Sequence, residues 1–425
     1  MESDGSALSS VEPPEPSSDA PPGNHGPLDV LRYSGFRLLW AGSICSNGAQ
    51  EMQTVISSWL VYTLTESPFQ LGLIGIFQAV PLILFSLAGG ATADRVDRKK
   101  LLVLTQALRI IPAAVLLTLS ITGALNMWIL YAMTALGSAA SVFDRPARQA
   151  MLPALVPREL VTNAVTFNTM TFQLNRVVGP SMAGVFLATA GPETAYGANA
   201  LLFLIAWLAV VGLPKLPLHP PAGDTNMLTM MVEGLTFVTR SSLILSLLVL
   251  DAFATFFSAF RALMPIFAVE VLQVGPDGMG LLLSAPALGA VAGSGLVMFF
   301  GAVRRKGAIV LVAVFLYSLS ILGFGLSPWF WLSLLLAFLM GGLDAIAATV
   351  RNSVILLISP DELRGRVESI RLVFVMGAPA LGGVQAGAMA SLLGAPITLA
   401  LQALVVTAAV FGVHWKAPKI WELEI

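Results

Sequence analysis

Charge is scarce in this chain. Only 11% of its 425 residues are Asp, Glu, Lys or Arg, while 56% are hydrophobic; an ordinary soluble domain carries about 25% charged residues. That composition excludes a water-soluble globule of this size. The 23 basic and 24 acidic residues nearly cancel, which excludes a basic nucleic-acid binder and an acidic tail protein. One cysteine, Cys45, permits no intrachain disulfide and no thiolate metal cluster. The histidines, His25, His219 and His414, are too scattered to form a metal site. Also missing are the G-x-x-x-x-G-K-[ST] run of a nucleotide cradle, the G-x-S-x-G nucleophile turn and the H-E-x-x-H metal pair. The sequence therefore implies no enzyme, no cofactor, no metal and no nucleic-acid partner.

What it has instead is long apolar runs. Residues 67–93, 110–143, 278–303, 307–343 and 372–415 contain no charged side chain, and about 20 apolar residues suffice for one membrane helix. The longer runs break at turn chemistry, at Gly123 to Asn126, Ser327-Pro328 and Gly394-Ala395-Pro396. Adding the less pure stretches around 38–62, 101–122, 164–190, 194–213 and 245–268 gives an all-α membrane protein of twelve transmembrane helices. With the N-terminus in the cytoplasm, 20 of the 23 basic residues fall in inside segments. The other three, Arg109, Arg176 and Arg261, lie within spans, so the outside loops hold none. The positive-inside rule thus expects both termini in the cytoplasm.

The segment 1–33 is rich in Pro, Ser and acidic residues and reads as a disordered cytoplasmic tail. Lys215 to Thr225, with Pro217, Pro220 and Pro221, reads as part of a linker over 214–242, with a short interfacial helix expected around 226–240. It separates two six-helix bundles at 34–213 and 243–414, and 415–425 forms a second cytoplasmic tail. A shift of 203 residues aligns Arg148 with Arg351, Pro157 with Pro360, Glu159-Leu160 with Glu362-Leu363, Gly179 with Gly382, Ala183-Gly184 with Ala386-Gly387, and Gly191 with Gly394. The matches fall on Gly, Pro and charged residues rather than on abundant Leu. Two pseudo-symmetric six-helix repeats of this kind are the architecture of alternating-access carriers.

Between the second and third spans stands Gly89-Gly90-Ala91-Thr92-Ala93-Asp94-Arg95-Val96-Asp97-Arg98-Lys99-Lys100. Gly90 and Asp94 are one helical turn apart, and the glycine permits close helix approach. Asp94 can sit near the positive end of the next helix. This G-x-x-x-D-R-x-x-R-K spacing resembles the signature of the major facilitator superfamily, and the resemblance extends over about residues 34–414. It implies that Gly90, Asp94, Arg95 and Arg98 form a latch between the halves on the cytoplasmic side. Asp97 departs from the glycine common in that position. Arg304-Arg305-Lys306, the corresponding loop of the second half, keeps the charge but lacks the Asp.

Further motifs narrow the resemblance. Phe143-Asp144-Arg145-Pro146-Ala147-Arg148-Gln149, Leu152-Pro153, Val156-Pro157-Arg158-Glu159-Leu160 and Trp59-Leu60-Val61-Tyr62 are similar to the enterobactin-exporter-like branch. That likeness implies efflux of siderophores, drugs or other small molecules, usually driven by protons, from a monomer in the cell inner membrane. Gly179-Pro180-Ser181-Met182-Ala183-Gly184 partly resembles the antiporter motif G-x-x-x-G-P-x-x-G-G. Physically, Pro180 removes a backbone donor while Gly179 and Gly184 admit a neighbouring helix, making a pivot.

Each charge within a span costs about 2.5–3.5 kcal/mol on insertion scales and so asks for a role. Glu51, beside Gln50 and Gln53 on the first span, is the leading candidate for proton coupling, with Asp251 and Asp344 as others. Arg176, Asn175, Gln53 and Arg261 are candidates for cargo contact or coupling. Asp251 and Arg261 are ten residues apart on the seventh span, on different faces, and are not expected to pair. Arg109 reads as structural. Asp144 with Arg148, four residues on, and Asp344 with Arg351, seven residues on, are expected as two same-face pairs at a cytoplasmic gate. Competing readings are carriage of a lysophospholipid or other lipid, and a non-transporting sensor on the same fold.

Overall fold

A backbone in hydrocarbon must satisfy its own N–H and C=O groups, so apolar runs of this length fold as helices. The computed structural model describes residues 26–214, 236, 238–239, 241–300, 306–359 and 364–416. Its long helices are α1 (Ser34–Thr65), α2 (Pro68–Arg95), α3 (Arg98–Ile121), α4 (Met127–Met151) and α5 (Val161–Val211). They continue with α6 (Ser242–Phe256), α7 (Phe260–Ile266), α8 (Gly275–Phe300), α9 (Lys306–Leu326), α10 (Phe330–Ile358), α11 (Arg364–Leu393) and α12 (Ala395–Lys416). No strand occurs among the described residues. Nine stretches of the described residues are long and apolar enough to cross a membrane. Neither α1 nor α11 is among them; α1 carries Ser43, Ser46, Asn47, Gln50, Glu51 and Gln53, the polar side chains that the site requires.

Local chemistry sets the helix ends. The Asp97 carboxylate caps α3 by accepting from Lys99 N at 2.9 Å and Lys100 N at 3.3 Å, and Asn126 caps α4 by accepting from Ile129 N at 3.0 Å. Within α5 the chain turns at Gly191, with φ 78° and ψ 178°, a conformation open only to glycine, and Pro192 starts a second arm. Gly394, the residue aligned with Gly191 by the 203-residue shift, also has a positive φ, 81°, and joins α11 to α12. One break was not expected. The stretch read as a continuous span over 245–268 parts at Phe257 to Ala259 and ends in a π-helical turn at Phe267–Val271. Tyr317 OH donates to Ser258 Oγ at 2.8 Å, tying that break to α9.

The tail expected over 1–33 is packed from Gly26 onward. Pro27–Arg32 form a 3-10 helix, and Val30 is fully buried beside Phe36 and Leu39, because its apolar side chain finds a place in the core. The expected interfacial helix around 226–240 and the linker's Lys215 to Thr225 lie outside the described residues, as do 1–25 and 417–425.

The core is distributed unevenly along the helices. At the end marked by Thr65, one apolar cluster joins Met52, Ile56 and Tyr62 of α1 to Leu263 and Met264 of α7, Met279 of α8 and Ala386 of α11. At the opposite end, marked by Ser34, the apolar residues form two separate clusters. One gathers Phe36, Leu102, Met151 and Leu160; the other gathers Leu247, Val310, Val350 and Val406. Sequence-distant helices therefore share a core at the Thr65 end and have separate cores at the Ser34 end.

Glycines make the shared end possible. Gly184 of α5 lies against Gly280 and the Pro276 carbonyl of α8, and Gly387 of α11 lies against Gly72 and the Pro68 carbonyl of α2. An added Cβ at any of these four would come within 2.6–2.8 Å of a neighbouring helix's backbone atom. Ser284 Oγ of α8 donates to the Val177 carbonyl of α5 at 2.7 Å across the first seam. Gly184 and Gly387 are aligned by the same shift of 203, so both seams use the same repeat position.

Candidate functional site

Between the shared core and the separated cores lies a cavity of about 220 Å³. From α1 it is lined by Asn47, Gln50, Glu51, Gln53, Thr54 and Ser57, from α3 by Arg109, and from α5 by Phe172 and Asn175. Side chains of α2 and α4, among them Gln78, Ser138, Asp144 and Arg145, and Ala380 of α11 complete the wall. A helix can present so many polar groups inside a membrane protein only where they face each other or water.

Glu51 is held there by packing. Gly179 lies so close to α1 that a Cβ on it would meet the Glu51 Cβ at 2.6 Å and the Gly48 carbonyl at 3.2 Å. The residue read as a pivot thus also sets the depth of the acid. Across the cavity, Arg261 Nη2 of α7 pairs with Glu51 Oε2 at 3.3 Å, with about a quarter of the acid and a third of the arginine exposed. This contact links helices 210 residues apart in sequence. Nearer Thr65, the Tyr62 hydroxyl donates to the Glu270 carboxylate, a second link between the same two regions.

Asn175, also read from the sequence, is buried on the wall, and its Nδ2 finds no acceptor among the described residues. Gln53 is buried on α1 and lines the same space. Arg176, the next residue on α5, lies within electrostatic reach of both Arg261 and Asp344. Asp344 of α10 is exposed and lies within reach of Arg351, Asp251 and Arg176.

The two same-face pairs differ in outcome. Asp144 and Arg148 pair at 3.3 Å, both nearly buried, in a larger network. Gln106 Nε2 donates to Asp144 Oδ1 at 2.6 Å, and Arg148 Nη1 donates to Ser43 Oγ at 2.8 Å. Arg351, by contrast, passes over Asp344 and pairs with Asp251 of α6 at 2.7 Å, both side chains being under a tenth exposed. Helical spacing identifies what can meet along one helix, but α6 brings a carboxylate closer from outside. Arg148 and Arg351, aligned by the repeat, are thus each anchored to the first helical segment of their own region, Arg148 to α1 and Arg351 to α6.

Of the four latch residues, Gly90, Asp94 and Arg95 belong to the helical backbone of α2, and their side chains lie outside the described residues. Arg98 Nη1 donates to the Ala150 carbonyl at the end of α4, at 3.0 Å. Several site residues were not singled out from sequence. Arg109, read as structural, lines the cavity and donates to Ser46 Oγ at 2.7 Å and Gln50 Oε1 at 3.0 Å. Tyr62 stands in the sequence only as part of the Trp59-Leu60-Val61-Tyr62 motif, and neither it nor Glu270 carries a local signal of their bond, which joins residues 208 positions apart. The Gly72, Gly75, Gly280 and Gly387 contacts follow the small-residue pattern of close helix packing, and that signal was available.

With amide, hydroxyl, carboxylate and guanidinium groups on its wall, the cavity has the chemistry to hold a polar small molecule. The comparisons agree in class. The model of the transmembrane secretion effector family matches residues 25–424, and the chain belongs to that family, within the major facilitator superfamily. It is a multi-pass inner-membrane transporter, not an enzyme. Among similar proteins is the enterobactin exporter EntS of Citrobacter koseri, 27% identical over 378 residues, covering 86% of this chain and 88% of that protein. EntS of Escherichia coli O81 is 26% identical over the same coverage. Solved structures share the fold at low identity. A bacterial homologue of the human lysosomal transporter Spinster, in an inward-facing and unoccupied conformation, superposes with a TM-score of 0.72 at 14% identity, covering 91% of this chain and 97% of that one. The nucleoside transporter NupG gives 0.70 at 13%, covering 92% and 100%.

Proposed function

We propose that this protein exports a small molecule by alternating access, in exchange for protons. The observation that carries the reading is the Glu51–Arg261 pair, 3.3 Å across the cavity between distant parts of the chain. A carboxylate there holds Arg261; once protonated, it no longer opposes the guanidinium charge, and the two sides can part. Proton binding at Glu51 and cargo binding in the cavity it lines then favour opposite arrangements of the two sides, which is the logic of exchange.

In this reading twelve spans form two six-helix bundles, 34–213 and 243–414. The two arms of α5 count as separate spans, and α6, α7 and the π turn count as one. The repeat-related seams Gly184·Gly280 and Gly387·Gly72 support that division. The positive-inside rule assigns the Ser34 end and both termini to the cytoplasm. The separated cores at that end then correspond to an inward-open state, closed on the outside by the glycine seams and the Tyr62–Glu270 bond. Gly90, Asp94, Arg95 and Arg98 latch the cytoplasmic side in the opposite state. Asp144, Arg148 and Arg351 stiffen the inner helix ends that must meet there, and Asp251 and Asp344 supply further acids for coupling. The relatives named enterobactin exporters support a siderophore, drug or similar amphipathic compound as cargo, moved by a monomer.

Uptake into inverted membrane vesicles under an imposed pH gradient, screened over siderophores, lipophilic drugs and lipids, tests the reading. Accumulation should collapse with the gradient, and Glu51→Gln should abolish it while leaving folded protein in the membrane. Gradient-dependent uptake unaltered by Glu51→Gln removes the acid from the mechanism.

A further inference from the structure

We infer that the cargo of this cavity is an organic anion, received by Arg109 on its wall and attracted by the charge of Arg176, the chain neighbour of the wall residue Asn175; the inference rests on the export reading above and specifies its substrate class. Arg109 is 5% exposed on the cavity wall. Among the described residues its two bonds go to neutral acceptors, Ser46 Oγ and Gln50 Oε1, and its Nε has no acceptor. The Phe203 ring lies 5.7 Å from the guanidinium carbon. Asp144 is within electrostatic reach, but its oxygens already accept from Arg148, Gln106 and Thr105. A buried guanidinium with no counter-ion in contact is an expensive arrangement for a protein to keep.

The remaining charges follow the same pattern. Arg148, Arg261 and Arg351 are matched by Asp144, Glu51 and Asp251. Arg176 makes no hydrogen bond or ion pair among the described residues. Of the three acids read within the spans, Glu51 and Asp251 are paired and Asp344 makes no ion pair among the described residues, so two arginines without an ion pair, Arg109 and Arg176, stand against one such acid. The buried polar atoms of the wall that lack a partner, Arg109 Nε and Asn175 Nδ2, are both N–H donors. Donors without acceptors and cations without anions ask for the same thing, a ligand with negatively charged oxygens. A lipophilic cation would need aromatic faces and a free carboxylate. Among the described residues the wall offers one aromatic side chain, Phe172, and its two acids are both already paired.

Full-length protein in nanodiscs tests this with a matched pair of dyes, anionic carboxyfluorescein and cationic rhodamine 123, by equilibrium dialysis. Carboxyfluorescein should bind saturably and at least about tenfold more tightly than rhodamine 123. Arg109→Gln should lower that affinity about tenfold or more, and Arg109→Lys, which keeps the charge, should lower it less and preserve the preference for the anion. Because Arg109 is buried, Arg176→Gln provides a variant that breaks no bond; it should weaken the anion several-fold at unchanged melting temperature. Equal or tighter binding of rhodamine 123, no saturable carboxyfluorescein binding, or affinity unchanged in both glutamine variants overturns the inference. Inverted vesicles separate the two claims. Uptake of rhodamine 123 without anion binding sinks the substrate class and leaves export standing, whereas anion binding with no movement of either dye sinks export alone.

Discussion

Arginines within the helices meet their carboxylates in different settings, and the setting decides what each substitution does. Asp251 and Arg351 are 2.7 Å apart with under a tenth of either side chain exposed. Removing one partner strands a buried charge, a loss of about 3–5 kcal/mol, whereas replacing both with apolar residues of similar volume is often neutral. Arg351→Ala should therefore lower the melting temperature sharply, and Asp251→Leu with Arg351→Met should recover most of it. A double variant as unstable as the single one would mean the pair does more than neutralise charge. Glu51 and Arg261 are partly exposed, so water screens them and their pair adds little to stability; Glu51→Gln should alter transport and scarcely alter melting. Sequence spacing made Asp144–Arg148 legible because both partners share a helix. It misdirected Arg351 towards Asp344 because the nearer acid, Asp251, comes from a residue 100 positions earlier, a contact that no periodicity encodes. Arg109 was undervalued for the same reason: its partners Ser46 and Gln50 belong to another helix.

At the scale of helices, glycine position separates folding from function. A Cβ on Gly72 of α2 would meet the Gly383 carbonyl of α11 at 2.8 Å and the Gly387 Cα at 3.0 Å. Backbone cannot yield as a side chain tip does, so α2 and α11 must part at the Thr65 end. Gly72→Val should favour the state open at that end. In a Cys45→Ser background, Ser57→Cys on the cavity wall should then react several-fold faster with a membrane-impermeant maleimide applied to intact cells. An unchanged rate would show that the seam is not what closes that face. Gly289 of α8 is the contrasting case, because its Cβ would overlap the Phe338 carbonyl of α10, within one proposed bundle. Gly289→Ala should reduce folded yield without changing the maleimide rate of the protein that does fold. Among the glycine matches of the repeat, all readable in the sequence, Gly184 and Gly387 fall on the seams. The break at Phe257 to Ala259 was not: those residues are apolar or small, and the tie from Tyr317 that accompanies the break comes from α9.

Across the whole molecule, composition and the distribution of basic residues made membrane embedding and an expected orientation legible, since both depend on sums over many residues. The conformation was not legible, because it depends on a small difference between contacts at two faces. At the Thr65 face those contacts are a shared apolar core, two glycine seams, the Tyr62–Glu270 bond and the Glu51–Arg261 pair. A hydrogen bond to a charged group contributes about 1.5–3 kcal/mol, and about 1.4 kcal/mol changes a two-state ratio tenfold. Tyr62→Phe deletes the donor while keeping the ring in its core, so it should raise the population open at the Thr65 face by roughly tenfold or more. Spin labels at Ser67 and Gln273, both in short connections between helices at that face, should show a longer-distance component growing in the variant. Adding Glu51→Gln removes the second link, and the two effects should combine because the bonds oppose the same separation at different depths. If the distance distribution keeps its original shape in the double variant, the apolar core and the glycine seams close that face unaided, and protonation of Glu51 cannot be the step that opens it.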